Sequence, residues 1–288
     1  MRIMVSSLCL WLCACAQTAT TPTKTPAPVS SVPRMIIEAP NYPTTPPAVA
    51  AARAAAAMVP GTAQSHMAEL DRLLAVHDNN ALVQAAMNPT DSAMLPVTLD
   101  WGQARMLAGG PLPVTLIYAR ALWQIGSLVQ ARESYKETAT FVTLYALLTS
   151  LSDGTKCADP TAVDNRFRTI LNGYQEQIRY IAQLPPESAK RATMLALQME
   201  STLAPKRGND NYLCRGGLQE MQDYIQTHDT TKLPRETGPG IVGSNVTIPY
   251  DPAYEPKYRT RDEWEPKQQQ LRQTFAALLD KIAPGNNR

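Results

Sequence analysis

The side chains able to do chemistry are few, and their spacing restricts what they could do. The 288-residue chain has three histidines, His66, His77 and His228, and five cysteines, Cys9, Cys13, Cys15, Cys157 and Cys214. A metal centre or a catalytic triad needs residues that converge, and three scattered histidines without an HExxH pattern carry no such signal. The GxSxG, P-loop and dinucleotide-glycine patterns do not occur in the sequence either. No cysteine stands in a CxxC, which argues against a redox or zinc role. The expectation is therefore no metal, no cofactor and no implied small-molecule ligand. Charge says the same of nucleic acid: 27 Lys plus Arg against 25 Asp plus Glu leaves a net +2, with the basic residues scattered.

The cysteines acquire roles from where the chain begins. Met1-Arg2 is a short basic start, and residues 3–14 are apolar apart from Ser6 and Ser7. That length suits a signal h-region, since a bilayer span needs about 20 apolar residues. The run ends in Leu12-Cys13-Ala14-Cys15, which resembles the lipobox of bacterial lipoproteins. The resemblance implies a signal peptide at 1–14, a diacylglycerol on Cys15, and attachment to a membrane through lipid. Ala16 after the cysteine, where an Asp would retain the protein at the inner membrane, favours an outer-membrane anchor facing the periplasm. Inner-membrane retention and a secretory signal cut after Ala14 or Ala16 are the alternatives. Cys9 and Cys13 would leave with the signal, so Cys157 and Cys214 remain. In an oxidising compartment such a pair reads as a disulfide, with two buried free thiols as the alternative.

Residues 15–50 then read as a lipidated cysteine followed by a tether. Between 16 and 50 lie eight prolines and seven threonines, a composition that favours extended chain at about 3.1 Å per residue. Inside it Arg34-Met35-Ile36-Ile37-Glu38 is an apolar island that could pair with a partner or pack on its own domain.

From 51 to 228 the apolar residues recur at helical spacing, so the expected fold is all-α, a helical-hairpin bundle or a short solenoid-like array. Helices are expected near 49–58, 62–77 and 91–108, with breaks at Asn79-Asn80 and Asn88-Pro89. The 113–150 block resembles one tetratricopeptide-type hairpin, with Ala119 and Ala131 at the helix contact, Gly126 in the turn and Tyr135 as the large packing residue. No second copy follows at a period of about 34, so an ordinary hairpin stays open. Asp159-Pro160 signals a helix start, and a stripe of Val163, Phe167, Ile170, Leu171, Tyr174, Ile178 and Ile181 runs to Pro185-Pro186. Next come a helix with Leu195, Met199 and Leu203 and a short one near 216–227 with Leu218, Met221 and Ile225, all expected in the core.

Residues 229–259 break the pattern with five prolines and Gly238, Gly240 and Gly243. A hairpin of Ile241-Val242 with Val246-Thr247-Ile248 is expected within this strap. Tyr250, Tyr254 and Tyr258 recur every four residues and are the partner-binding candidates, packing across a groove of the protein or of a partner. A capping box at Thr260 and Glu263 opens a last helix, 260–288, with Trp264, Leu271, Phe275, Leu278, Leu279 and Ile282 on one face, expected to dock back on the body.

Glu200-Ser201, followed by Gly217-Leu218-Gln219, resembles elements of lytic transglycosylases. The resemblance implies Glu200 as general acid and base cleaving peptidoglycan, which requires a raised carboxyl pKa in a cleft. The sequence departs from that family at a missing Met and at its later Ala-Gly-Tyr elements. Two readings therefore stand: a non-catalytic envelope lipoprotein that binds another protein, in assembly, secretion, conjugation or immunity, and a peptidoglycan-active enzyme using Glu200.

Overall fold

A computed structural model describes residues 62–88, 94–128, 132–229 and 253–282, with 235–236, 245–246, 248–249 and 251 between the last two. The expected helix at 49–58, the island at 34–38, Ala131, Cys15 and Tyr250 lie outside the described residues. The fold is all-α. Its helices are α1 (Thr62–Ala75), α2 (Asn79–Met87), α3 (Met94–Leu107), α4 (Leu112–Leu128), α5 (Arg132–Gly154), α6 (Pro160–Gly173), α7 (Gln175–Ala182), α8 (Pro186–Leu203), α9 (Leu218–Thr227) and α10 (Arg261–Ile282). Two two-residue strands, β1 (Arg235–Glu236) and β2 (Asn245–Val246), pair antiparallel. The hairpin thus pairs 246 with 235, not with Ile241-Val242 as the apolar pattern indicates.

At the centre is the α4–α5 hairpin. α4 is apolar nearly all round, as a helix surrounded by others must be, and buries Leu112, Val114, Ile117, Tyr118, Ala119, Ala121, Leu122 and Ile125. On one side it meets α2 and α3. α5, the longest helix, meets α6, α7, α8 and α10. Gly126 is not in the turn: α4 continues to Leu128, so the turn falls after it. Gly102 lets α3 approach α4 closely, because a Cβ there would stand 3.1 Å from the Tyr118 Cβ.

Several boundaries shift for identifiable reasons. α1 ends in a Schellman arrangement, with the Asp78 N–H bonded to the Leu73 carbonyl and His77 taking φ 57°. The Asp78 side chain then accepts from the Ala81 N–H at 3.0 Å and starts α2. Asn79-Asn80 consequently opens a helix where a break was expected. The stripe from Val163 to Ile181 belongs to two helices, divided at Tyr174, whose buried hydroxyl donates to the Leu116 carbonyl at 2.7 Å. In α8 the inward row is Ala192, Ala196, Glu200 and Leu203, while Leu195 is 39% exposed. The core placement of Leu218, Met221 and Ile225 is also corrected: all three are exposed, and α9 has no buried residue.

Candidate functional site

Cys157, just after α5, is bonded to Cys214, just before α9, with the Cα atoms 5.1 Å apart. Both cysteines are buried. The disulfide joins the two chain segments that start α6 and α9, and these starts share caps. The Asp159 carboxylate accepts from the Thr161 N–H at 2.9 Å and from the Gln219 N–H at 2.9 Å, while the Thr161 hydroxyl accepts from the Leu218 N–H at 2.8 Å. One carboxylate thus serves two helix N-termini. Burial pushes the Asp159 pKa up, but its hydrogen bonds to Thr161, Gln219 and Ala162 outweigh that and hold it below its ordinary value. Gly217 makes the arrangement possible, since a Cβ there would meet Asp159 Oδ2 at 2.1 Å.

The end of the strap docks against the same joint. Tyr258 pairs antiparallel with Cys157, through the Ala158 N–H to the Lys257 carbonyl at 3.0 Å and the Arg259 N–H to the Lys156 carbonyl at 2.7 Å. Burial, with the charges of Asp210 and Glu255, raises the Tyr258 phenol to about 12. Tyr254 lies under the Arg215 guanidinium, 5.3 Å from the ring centre. Arg215 is itself ion-paired with Glu220 and donates to the Asp251 carbonyl at 2.7 Å. A groove of about 220 Å³ remains between these parts, lined by Asp159, Cys214, Leu218, Gln222, Tyr254 and Lys257. Tyr254 therefore contacts both the protein's own joint and an open groove.

Glu200 is in a different setting. Its carboxylate is buried and accepts from Arg207 at 2.8 Å, from Arg272 at 2.8 and 3.1 Å, and from the Ser152 hydroxyl at 3.0 Å. Arg207 also donates to Asp153 at 2.6 Å, and the Lys156 ammonium is 3.0 Å from Asp153. Burial would raise the Glu200 pKa, but the hydrogen bonds and charges of Arg272 and Arg207 prevail and hold it below the ordinary value. A general acid needs the opposite shift and access to substrate. Glu200 has neither, and its geometry is that of a buried ion-pair network. α10 completes that network: Gln268 donates to the Ser152 carbonyl at 2.9 Å, Arg272 reaches Glu200, and Trp264 lies 5.5 Å from the Lys156 ammonium. At the start of α10 the Glu263 carboxylate accepts from both the N–H and the hydroxyl of Thr260 at 2.8 Å.

A second cleft, of about 320 Å³, opens over Asp153, Arg207 and Asp210 beside the α3–α4 turn. Asp210 accepts from the N–H of Leu112, at the start of α4, at 2.7 Å and from the Leu213 N–H at 3.2 Å, so it acts as a long-range helix cap. Burial raises its pKa. Among the described residues no group of His, Cys, Asp and Glu is placed to hold a metal ion, and no helix is long and apolar enough to cross a membrane.

The sequence singled out Cys157, Cys214, Tyr254, Tyr258 and Glu200. The structure brings the first four to one joint and places Glu200 in the separate network. Asp153, Arg207, Arg215 and Gln268 were not found from sequence. Their only signal is polarity at positions that helical spacing turns inward. No family model, curated protein or solved structure matches the chain.

Proposed function

We propose that the protein is a non-catalytic, lipid-anchored lipoprotein of the cell envelope whose helical body binds another envelope protein. Lipid on Cys15 would hold it to the outer membrane on the periplasmic side, with residues 15–50 as the spacer. Supporting this are the Leu12-Cys13-Ala14-Cys15 signal and the disulfide, which suits an oxidising compartment. The observation that carries the binding role is the apolar stripe of α9 left open beside the strap, at 51%, 36% and 49% exposure for Leu218, Met221 and Ile225. The ion-paired state of Glu200 weighs against peptidoglycan cleavage.

The test is fractionation of cells producing the chain or its Cys15→Ala variant, combined with photo-crosslinkers placed over the exposed surface. The expected result is membrane-associated parent, soluble variant, and a crosslink to one envelope protein. Unchanged fractionation of Cys15→Ala would refute the anchor. Peptidoglycan digestion by the purified protein, lost in Glu200→Gln, would refute the non-catalytic role.

A further inference from the structure

The helix α9 is built the wrong way round for a surface helix. Its half-buried side carries Gln219, Glu220, Asp223 and Tyr224, whereas Leu218, Met221 and Ile225 face out. Ordinary surface helices bury the apolar stripe and expose the polar one. Here polar contacts do the attaching: the Asp159 and Thr161 caps, the Arg215–Glu220 ion pair, and the bond from the Gly216 N–H to Glu220 at 2.7 Å. The stripe is therefore free of any duty in holding α9 to the body. Its spacing of three and four residues is that of a ridge for helix packing, and it is about 10 Å long at 1.5 Å per residue.

The charge around this ridge has one sign. α9 contains Glu220 and Asp223 and no Lys or Arg. Asp229 follows it, and Asp251 and Glu255 stand on the returning strap. Against these, Arg215 is buried and paired to Glu220, and Lys257 lies 3.9 Å from Asp223. Burial and the carboxylates of Asp223, Glu220 and Asp159 together raise the Tyr254 phenol pKa, as a negative potential in the groove would.

We infer that the outer face of α9, with the groove beside Leu218 and Tyr254, docks an amphipathic helix of another protein whose apolar stripe is flanked by Lys or Arg. The inference rests on the partner-binding role proposed above and names its surface and the partner's chemistry. Helix-on-helix packing uses the ridge, and basic flanks meet the carboxylates.

The test uses the full chain carrying Cys15→Ala and two dye-labelled helical peptides of about 14 residues. One has a Leu face flanked by Lys, the other the same Leu face flanked by Glu. Fluorescence anisotropy should show the Leu/Lys peptide binding at least about tenfold more tightly than the Leu/Glu peptide, a difference of about 1.4 kcal/mol. Met221→Ser with Ile225→Ser should weaken the Leu/Lys peptide by at least about tenfold, and Glu137→Lys, on an exposed site of α5, should leave it within about twofold. Equal binding of both peptides, or binding insensitive to the α9 substitutions, would overturn the inference. So would three other occupants: a dimer of the chain lost on Met221→Glu, binding that appears only when residues 237–244 are deleted, or binding of phosphatidylglycerol vesicles through the same residues. If cellular crosslinks form at another surface while α9 gives none, the partner-binding role stands and this face is excluded.

Discussion

Replacing Glu200 by Gln tests whether this carboxylate is structural or catalytic. The substitution keeps size and one acceptor oxygen but removes a charge held between two guanidiniums. The network contains Asp153 and Glu200 against Lys156, Arg207 and Arg272, so losing Glu200 leaves one carboxylate facing three cations. Breaking a buried ion pair typically costs about 3–5 kcal/mol. Arg207 would retain Asp153, and the Arg272 side chain, 32% exposed, could turn to water. The lower end, about 3 kcal/mol, is therefore expected. In a domain of this size that is a fall in melting temperature of roughly 6–12 °C. Urea unfolding followed by circular dichroism at pH 7 measures it. The pH dependence gives a second check. Because the folded pKa of Glu200 lies below the ordinary 4.5, its stabilisation is present above that value and lost as pH falls through the folded pKa. The deficit of Glu200→Gln should accordingly shrink below about pH 4. A variant within about 0.5 kcal/mol of the parent at pH 7 would refute the network account. So would an equal deficit at every pH.

Further expectations concern the joint and the caps. Cys214→Ser should remove the non-reduced gel shift and cost about 4 kcal/mol by the chain-entropy estimate for a loop of this length, read from the urea midpoint. Gly217→Ala, which drives a Cβ into Asp159 Oδ2 and the Ala162 N–H, should destabilise by about 1–3 kcal/mol, and unchanged thermal stability would contradict the shared cap. Asp210→Ala orphans the Leu112 and Leu213 N–H groups, with a similar cost of about 1–3 kcal/mol. Its pH trend should be opposite to that of Glu200. The folded pKa of Asp210 is raised, so what it contributes is full below the ordinary 3.8 and declines as pH rises through the folded value. Titrating the deficits of both variants in parallel checks the two signs.

Helix existence was legible because apolar periodicity is a local property of the chain. The central α4–α5 hairpin and the disulfide follow from such patterns together with cysteine arithmetic. Helix limits failed where a cap decided them. Asp78 turned Asn79-Asn80 from a break into a first turn, and the Tyr174 hydroxyl on Leu116 split one stripe into two helices. The inversion of α9 was illegible for a deeper reason. Periodicity finds an apolar face but not its direction, and only the distant partners Asp159, Thr161 and Arg215 determine that the polar face turns inward. Glu200 was noticed for its neighbours in sequence, whereas its state is set by Arg207 and Arg272, and Arg272 is 72 residues away.

The docking of α10 also carries a consequence for how the chain acquires its structure in time. Gln268 bonds to Ser152 across 116 residues, and Arg259 bonds to Thr155 across 104. Contacts of such separation slow folding relative to local helical pairing. The helices up to α8 can form as the chain emerges, but Glu200 and Asp153 gain their full set of partners only when the last thirty or so residues arrive. A chain shortened before Gln268 would keep its helices and lose the closing step, leaving a body that opens more readily to proteases. The C-terminal helix thus acts as the final latch of assembly.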